Sequence, residues 1–184
     1  MTARLRFELP PSLEAHEPPE ARGLTRDAVR LMVADRRTGE PVHTTFALLP
    51  AFLDPGDLVV VESPTYTNGS ATALSYQAEL LEVPVDSEGM SIDALEEGVE
   101  RAGRTPKAIY TIPTFQNPSG ASMSLERRHR LLDLARRWGS VVIDDDPYGM
   151  LRFAGEELPS LRELGAGDPL VFSVRTFSKI IAPG

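Results

Sequence analysis

In its C-terminal half the chain carries three polar segments, each directly after an apolar run. TFQNPSG follows AIYTIP, DDDPYG follows VVI, and RTFSK follows LVFSV. Between them they hold an amide (Asn117), three adjacent carboxylates (Asp144, Asp145 and Asp146), a phenol (Tyr148), two hydroxyls (Thr176 and Ser178) and an amine (Lys179). A lysine amine can condense with an aldehyde cofactor, and pyridoxal phosphate is the one whose ring then serves as an electron sink. The sink works only while the pyridine nitrogen stays protonated, which calls for a carboxylate partner. The ring's phenolic oxygen wants donors, which an Asn amide and a Tyr hydroxyl supply. A phosphate wants hydroxyls and backbone N–H groups. This inventory meets each demand.

Taken singly, each feature has a plainer reading. A lysine after a strand is usually solvated. Asn-Pro-Ser-Gly is an ordinary turn. Asp144 and Asp146 could hold a divalent cation, since like charges crowded at one strand end need a cation nearby. The combination discriminates better than any part of it.

Bringing these groups together requires a particular scaffold. Leu58-Val59-Val60-Val61, Leu80 to Val85, Ala108 to Ile112, Val141-Val142-Ile143 and Leu170 to Val174 are short runs apolar on both faces, and helical patterns lie between them. The clearest helix runs from Ser124 to Trp138, with Leu131, Leu132, Ala135 and Trp138 on one face, Arg127, Arg128, Arg130, Arg136 and Arg137 mostly on the other, and Gly139 as a stop. A second starts at Ser91 as N-cap and runs through Leu95 and Val99. Doubly apolar strands alternating with helices imply an α/β fold, a mostly parallel sheet flanked by helices. In such sheets ligands gather beyond the carboxyl ends of the strands, so the three polar segments share one rim.

The first part of the chain is less regular. Residues 8–22 are rich in Pro and Glu, so residues 1–41 read as a largely irregular arm and 42–184 as the folded domain. Val42, Phe46, Leu49 and Leu53 recur at helical spacing before the turn Asp54-Pro55-Gly56-Asp57, with Pro50 a kink or break. The 184 residues carry a net charge of -8, which disfavours nucleic-acid and anionic-membrane surfaces and favours a small-molecule partner. There is no cysteine, so disulfides, thiolate metal sites and Cys nucleophiles are excluded. The opening residues MTARLRFELPP lack an apolar core, and no run approaches the length of a membrane span, so a cytoplasmic location is expected.

NPSG, DDDPYG and TFSKIIAPG, in this order and at these intervals, resemble the fold-type I, pyridoxal-phosphate-dependent aminotransferases of class I/II, nearest to the 2-aminoadipate and kynurenine aminotransferase branch. The resemblance runs from about Pro55 to Gly184 and implies the large domain of that fold, incomplete, without the C-terminal small domain. It implies that Lys179 bonds the cofactor and shuttles a proton between the amino acid Cα and the cofactor C4′. It pairs Asp145, three residues before Tyr148, with the pyridine nitrogen, Asp146 being the second choice. Asn117 and Tyr148 would bond the ring's O3′, and Thr176 and Ser178 the phosphate. Tyr66, in SPTY, matches an aromatic beside the ring, or is simply a core or surface tyrosine. Amino acids and 2-oxo acids are the implied substrates and a homodimer the implied assembly.

The resemblance also marks departures. The helix-opening segment that cradles the phosphate corresponds to Thr38-Gly39-Glu40-Pro41, where Glu40 opposes a dianion and Pro41 lacks a donor. The arginines expected beyond the lysine are not in this chain, so weak cofactor binding and little turnover are expected of a truncated product. Two other readings stand beside the enzyme: a non-catalytic ligand-sensing domain of a transcriptional regulator, and an inert remnant.

Overall fold

β-Branched and doubly apolar runs become the strands of two separate sheets. The computed structural model describes residues 54–176, Gly23 and Lys179, and the backbone of residues 30–34 and 41–45. The chain divides into two compact units, Met1–Phe52 and Leu53–Gly184.

In the first unit, β1 (Arg30–Ala34) pairs antiparallel with β2 (Pro41–Thr45), placing Arg30 opposite Thr45 and Ala34 opposite Pro41. This corrects the helix expected from Val42. Val42, Thr44 and Thr45 are β-branched, and an antiparallel partner takes up their backbone groups, which outweighs the four-residue spacing of Val42 and Phe46. Pro41 opens its strand, a position where a missing N–H is tolerated. Phe46, Leu49, Pro50, Leu53 and the Pro-rich stretch of residues 8–22 lie outside the described residues.

The second unit is an α/β sheet of six strands. β3 (Leu58–Ser63), β4 (Glu79–Asp86), β5 (Gly89–Met90), β6 (Ala108–Thr111), β7 (Val141–Asp145) and β8 (Val171–Val174) stand in the order β5-β4-β3-β6-β7-β8. All neighbours run parallel except β5, which folds back on β4. The four expected runs from Leu58 to Val142 and the one at Val171 all form strands, so the mostly parallel sheet inferred from doubly apolar runs is what the chain builds. β3 has β4 on one side and β6 on the other. The winding reverses there, and the crevice beyond the carboxyl ends of β3 and β6 is the switch point where ligands collect in such sheets.

Helices cover the faces unequally. Val60, Ile109, Val142 and Val171 meet Ile92 and Leu95 of α2 (Ile92–Ala102) and Leu131, Leu132 and Ala135 of α3 (Leu125–Trp138) in the main core. On the opposite face Val59, Val61 and Ala108 form a smaller cluster with Ala73 of α1 (Thr67–Ser75). Both long helices begin where their serines predict: Ser91 accepts from Ala94 N–H and Ser124 from Arg127 N–H. Gly139 ends α3 in the left-handed region, at φ 70°, which only glycine adopts without strain.

Arg128 departs from the polar face assigned to it. It is 1% exposed, and its guanidinium donates to the carbonyls of Met123, Pro113 and Pro159 and to the Thr114 hydroxyl. A buried cation is tolerable when its donors find acceptors, and this one makes four hydrogen bonds that tie the β6 loop to the segment before α4 (Leu161–Leu164).

Candidate functional site

The carboxyl ends of β6, β7 and β8 lie side by side, so the three polar segments emerge on one rim. Alternation along β7 then separates the aspartates. Asp144 points into the main core and is fully buried. One of its oxygens accepts from the Arg162 N–H at 3.4 Å and the other has no hydrogen-bond partner among the described residues. Burial, and secondarily the charge on Asp146, pushes its carboxyl up to about 6. Asp146 turns away from the strand, accepting from the Gly149 N–H at 2.9 Å and pairing with Arg175 at 3.4 Å. A Cβ on Gly149 would lie 2.5 Å from the Asp146 Oδ1, so a larger residue there would push the carboxylate aside. The two oxygens of a shared cation site on Asp144 and Asp146 therefore serve different partners.

Asp145 takes the opposite face, the one with the smaller cluster. Its Oδ2 accepts the Tyr110 hydroxyl proton at 2.6 Å. Burial raises the Asp145 pKa, the hydrogen bond from Tyr110 lowers it, and Asp146 adds a smaller upward push. The Tyr110 phenol, desolvated and beside this carboxylate, is pushed well above its ordinary range and remains a donor. Tyr66, the N-cap of α1, is 40% exposed and close enough to Tyr110 to act on its ionisation, while its own hydroxyl accepts from the Asn68 amide at 2.8 Å.

Asn117 and Tyr148 come together, the amide donating to the phenol oxygen at 3.4 Å. Both line a cleft of about 530 Å³ with Phe115, Gln116, Leu151 and Phe153. The loop that presents Asn117 is built by its neighbour. Gln116 donates to Glu62 and to the Pro64 carbonyl, and its oxygen accepts from both the Ser119 N–H and hydroxyl. Glu62, at the end of β3 and 1% exposed, also accepts from the Thr111 hydroxyl at 2.5 Å and the Ile112 N–H at 3.2 Å. Desolvation raises its pKa, against the three hydrogen bonds.

Asn117 and Tyr148 are thus in contact, and Asp145 stands at the end of the adjoining strand, engaged by a residue outside the predicted set. Asp145 and Lys179 are not among the cleft's lining residues. Thr176 is exposed just past β8, Ser178 lies outside the described residues, and Lys179 is exposed with no ion-pair or hydrogen-bond partner among the described residues. Tyr110, Glu62 and Gln116 went unmarked in the sequence. Glu62 could have been found as the one charge closing a continuous apolar strand, and Gln116 as the polar residue leading into Asn-Pro-Ser-Gly; nothing local distinguishes Tyr110.

Comparison with known proteins matches the sequence and the fold to a family. The aminotransferase class I and II family matches residues 43–182. The chain is 43% identical over 136 residues to aromatic-amino-acid aminotransferase 1 of Thermococcus litoralis, covering 72% of this chain and 32% of that protein. Its fold is similar to Pyrococcus horikoshii kynurenine aminotransferase, solved with PMP, at a TM-score of 0.71 and 36% identity, over 88% of this chain and 39% of that one. It is also similar to the α-aminoadipate aminotransferase of Thermus thermophilus, solved with N-(5'-phosphopyridoxyl)-L-leucine, at 0.69 and 36% over 90% and 41%. The chain spans about a third of the length of the curated relatives it matches (32% for the first of them).

A second family, described as queuosine biosynthesis protein, matches residues 2–67 and overlaps the first over 43–67. β3 falls inside both matches, and it is hydrogen-bonded between β4 and β6 at the middle of the six-stranded sheet. Thr38-Gly39-Glu40-Pro41 precedes the aminotransferase match and lies within the other, and all of it but the backbone of Pro41 lies outside the described residues. With its switch-point sheet and more than half its residues inside that match, the chain belongs to the aminotransferase class I and II family.

Proposed function

We propose that residues 53–184 carry the pyridoxal-phosphate-binding part of an aminotransferase that moves an amino group from an amino acid to a 2-oxo acid. The observation that carries this reading is the placement of Asp145. It ends the parallel strand β7 as an oriented carboxylate, three residues before Tyr148, which accepts from Asn117. This donor and acceptor set fits a pyridine ring that bears a basic nitrogen and a phenolic oxygen.

When bound, the cofactor supplies an electron sink for the amino acid's Cα–H bond. Asp145 would accept the ring N–H and keep it protonated. The Asn117 amide and the Tyr148 hydroxyl would donate to the ring's phenolic oxygen, and Tyr66, which follows β3, would lie beside the ring. The hydroxyls of Thr176 and Ser178 would donate to phosphate oxygens. Lys179 Nζ would hold the cofactor covalently and, once the substrate amine has displaced it, would be the free amine that carries a proton from the substrate Cα. A homodimer and a cytoplasmic location accompany this reading and rest on it alone; among the described residues no helix is long and apolar enough to cross a membrane. The queuosine-family match is carried by residues 2–67, mostly outside this unit.

The test is to add pyridoxal phosphate to the purified chain, reduce with borohydride and map the label by peptide mass. The expected result is a visible absorption band and a phosphopyridoxyl group on Lys179, both lost in Lys179→Ala. A label distributed over surface lysines, with the band intact in Lys179→Ala, overturns the reading. Transamination with 2-oxoglutarate then separates an enzyme from a ligand-sensing domain, which would bind without turnover.

A further inference from the structure

We propose that Tyr110 is the positioning residue for the Asp145 carboxylate, and that Gly69 is the seat that holds its phenol in place. The inference rests on the cofactor reading above only for its consequence, not for its geometry.

Tyr110 lies on β6 and Asp145 on the adjacent parallel strand β7. Register places Tyr110 beside Ile143, so Asp145 is two residues further toward the rim on the same face. The phenol spans that diagonal and gives its proton to Oδ2 at 2.6 Å. Asp145 is thereby held by one oxygen, with the other left as the acceptor for a ring N–H.

Gly69, in the first turn of α1, makes this reach possible. A Cβ there would lie 2.7 Å from Tyr110 Cε1, 2.9 Å from Cζ and 3.2 Å from the hydroxyl oxygen. Real Cβ atoms do not approach ring carbons that closely, so any larger residue at 69 displaces the phenol. Gly69 is otherwise a poor choice inside a helix, where glycine costs up to about 1 kcal/mol relative to alanine. Its cost is explained if the backbone must lie flat on Tyr110.

The groups around Asp145 give this hydrogen bond its importance. Asp146 on the same strand end and Glu62 on β3 are both acidic, and the phenols of Tyr110 and of Tyr66, the N-cap of α1, complete the surroundings. Arg175, past β8, pairs with Asp146. Burial and acidic neighbours therefore favour the neutral carboxyl, and Tyr110 is the side chain that opposes them. A protonated Asp145 could not hold a pyridinium, because it would have surrendered the charge that the ring nitrogen needs.

The test uses the full chain without cofactor, then with it. Asp145 is titrated by carbon NMR of its carboxyl group, the resonance being identified by its loss in Asp145→Asn. Tyr110→Phe removes only the hydroxyl, and Gly69→Ala keeps the hydroxyl but moves it. Both are expected to raise the Asp145 titration midpoint while circular dichroism stays native, and to weaken pyridoxal phosphate binding about tenfold, the worth of one hydrogen bond to a charged acceptor. A Tyr110 with a purely packing role would leave the midpoint unmoved in Tyr110→Phe. An unchanged or lowered midpoint in a folded variant overturns the proposal, and should Tyr110→Phe not fold, Gly69→Ala gives the same reading. If the midpoints rise but no variant, wild type included, takes the cofactor on Lys179, the positioning role stands and the cofactor reading falls.

Discussion

The Gln116 side-chain amide donates to the Glu62 carboxylate at 3.1 Å across 54 residues of chain, joining the ends of β6 and β3 at the switch point. Because Gln116 also accepts from Ser119, this one contact sets the loop that presents Asn117. Glu62→Ala would leave the Thr111 hydroxyl, the Ile112 N–H and the Gln116 amide without their acceptor in a dry site. The expected loss is about 2–5 kcal/mol in urea unfolding, with Glu62→Gln costing clearly less because it keeps an acceptor. Equal losses for the two variants would mean that the carboxylate's shape, not its acceptors, is what matters.

Asp144 predicts a pH dependence of stability. Its carboxyl is held at about 6 in the folded chain, against an ordinary value of 3.8, so the folded state binds a proton there that the unfolded state has lost. Stability from this group is full below about 4, falls as pH rises toward about 6 and is level above, a decline of roughly 3 kcal/mol. Asp144→Asn lacks the decline. Unfolding free energies of the two proteins, measured at intervals from acid to neutral pH, should diverge in favour of the variant as pH rises; a constant difference would show that Asp144 does not titrate there.

Gly149→Ala sets a Cβ against the Asp146 carboxylate, displacing the acceptor of the Gly149 N–H and loosening the pairing with Arg175. A melting measurement should report about 1–2 kcal/mol of destabilisation. Tyr148 lies inside the same turn, so its contact with Asn117 should weaken as well. A variant as stable as wild type would mean that Asp146 can rotate away at no cost.

Arg128→Met keeps an unbranched apolar stem and removes the donors, stranding three carbonyls and the Thr114 hydroxyl. The expected cost is about 3–5 kcal/mol. Arg128→Lys should recover little of it, since one ammonium cannot replace a planar fork reaching four acceptors. Full recovery by lysine would show that charge, opposite Asp144 and Asp146, is the main contribution.

The elements that repeat locally were readable without coordinates. Doubly apolar runs marked β3, β6, β7 and β8, serines marked the starts of α2 and α3, Gly139 marked a stop, and the spacing of NPSG, DDDPYG and TFSK marked the family. Residues 42–45 misled because β-branched side chains fit either period and a partner strand decided between them. Arg128 misled because a helical face tells where a residue starts, not whether its long side chain finds acceptors inside.

Composition and spacing therefore determined the sheet, its rim and the residue types on that rim. Tertiary structure alone decided which aspartate faces which side, that Tyr110 rather than a predicted residue takes Asp145, and that a buried Glu62 shapes the asparagine loop. The reason is physical: periods, caps and turns are encoded within a few residues, whereas Tyr110 and Asp145 are 35 residues apart and meet only through the order and register of strands.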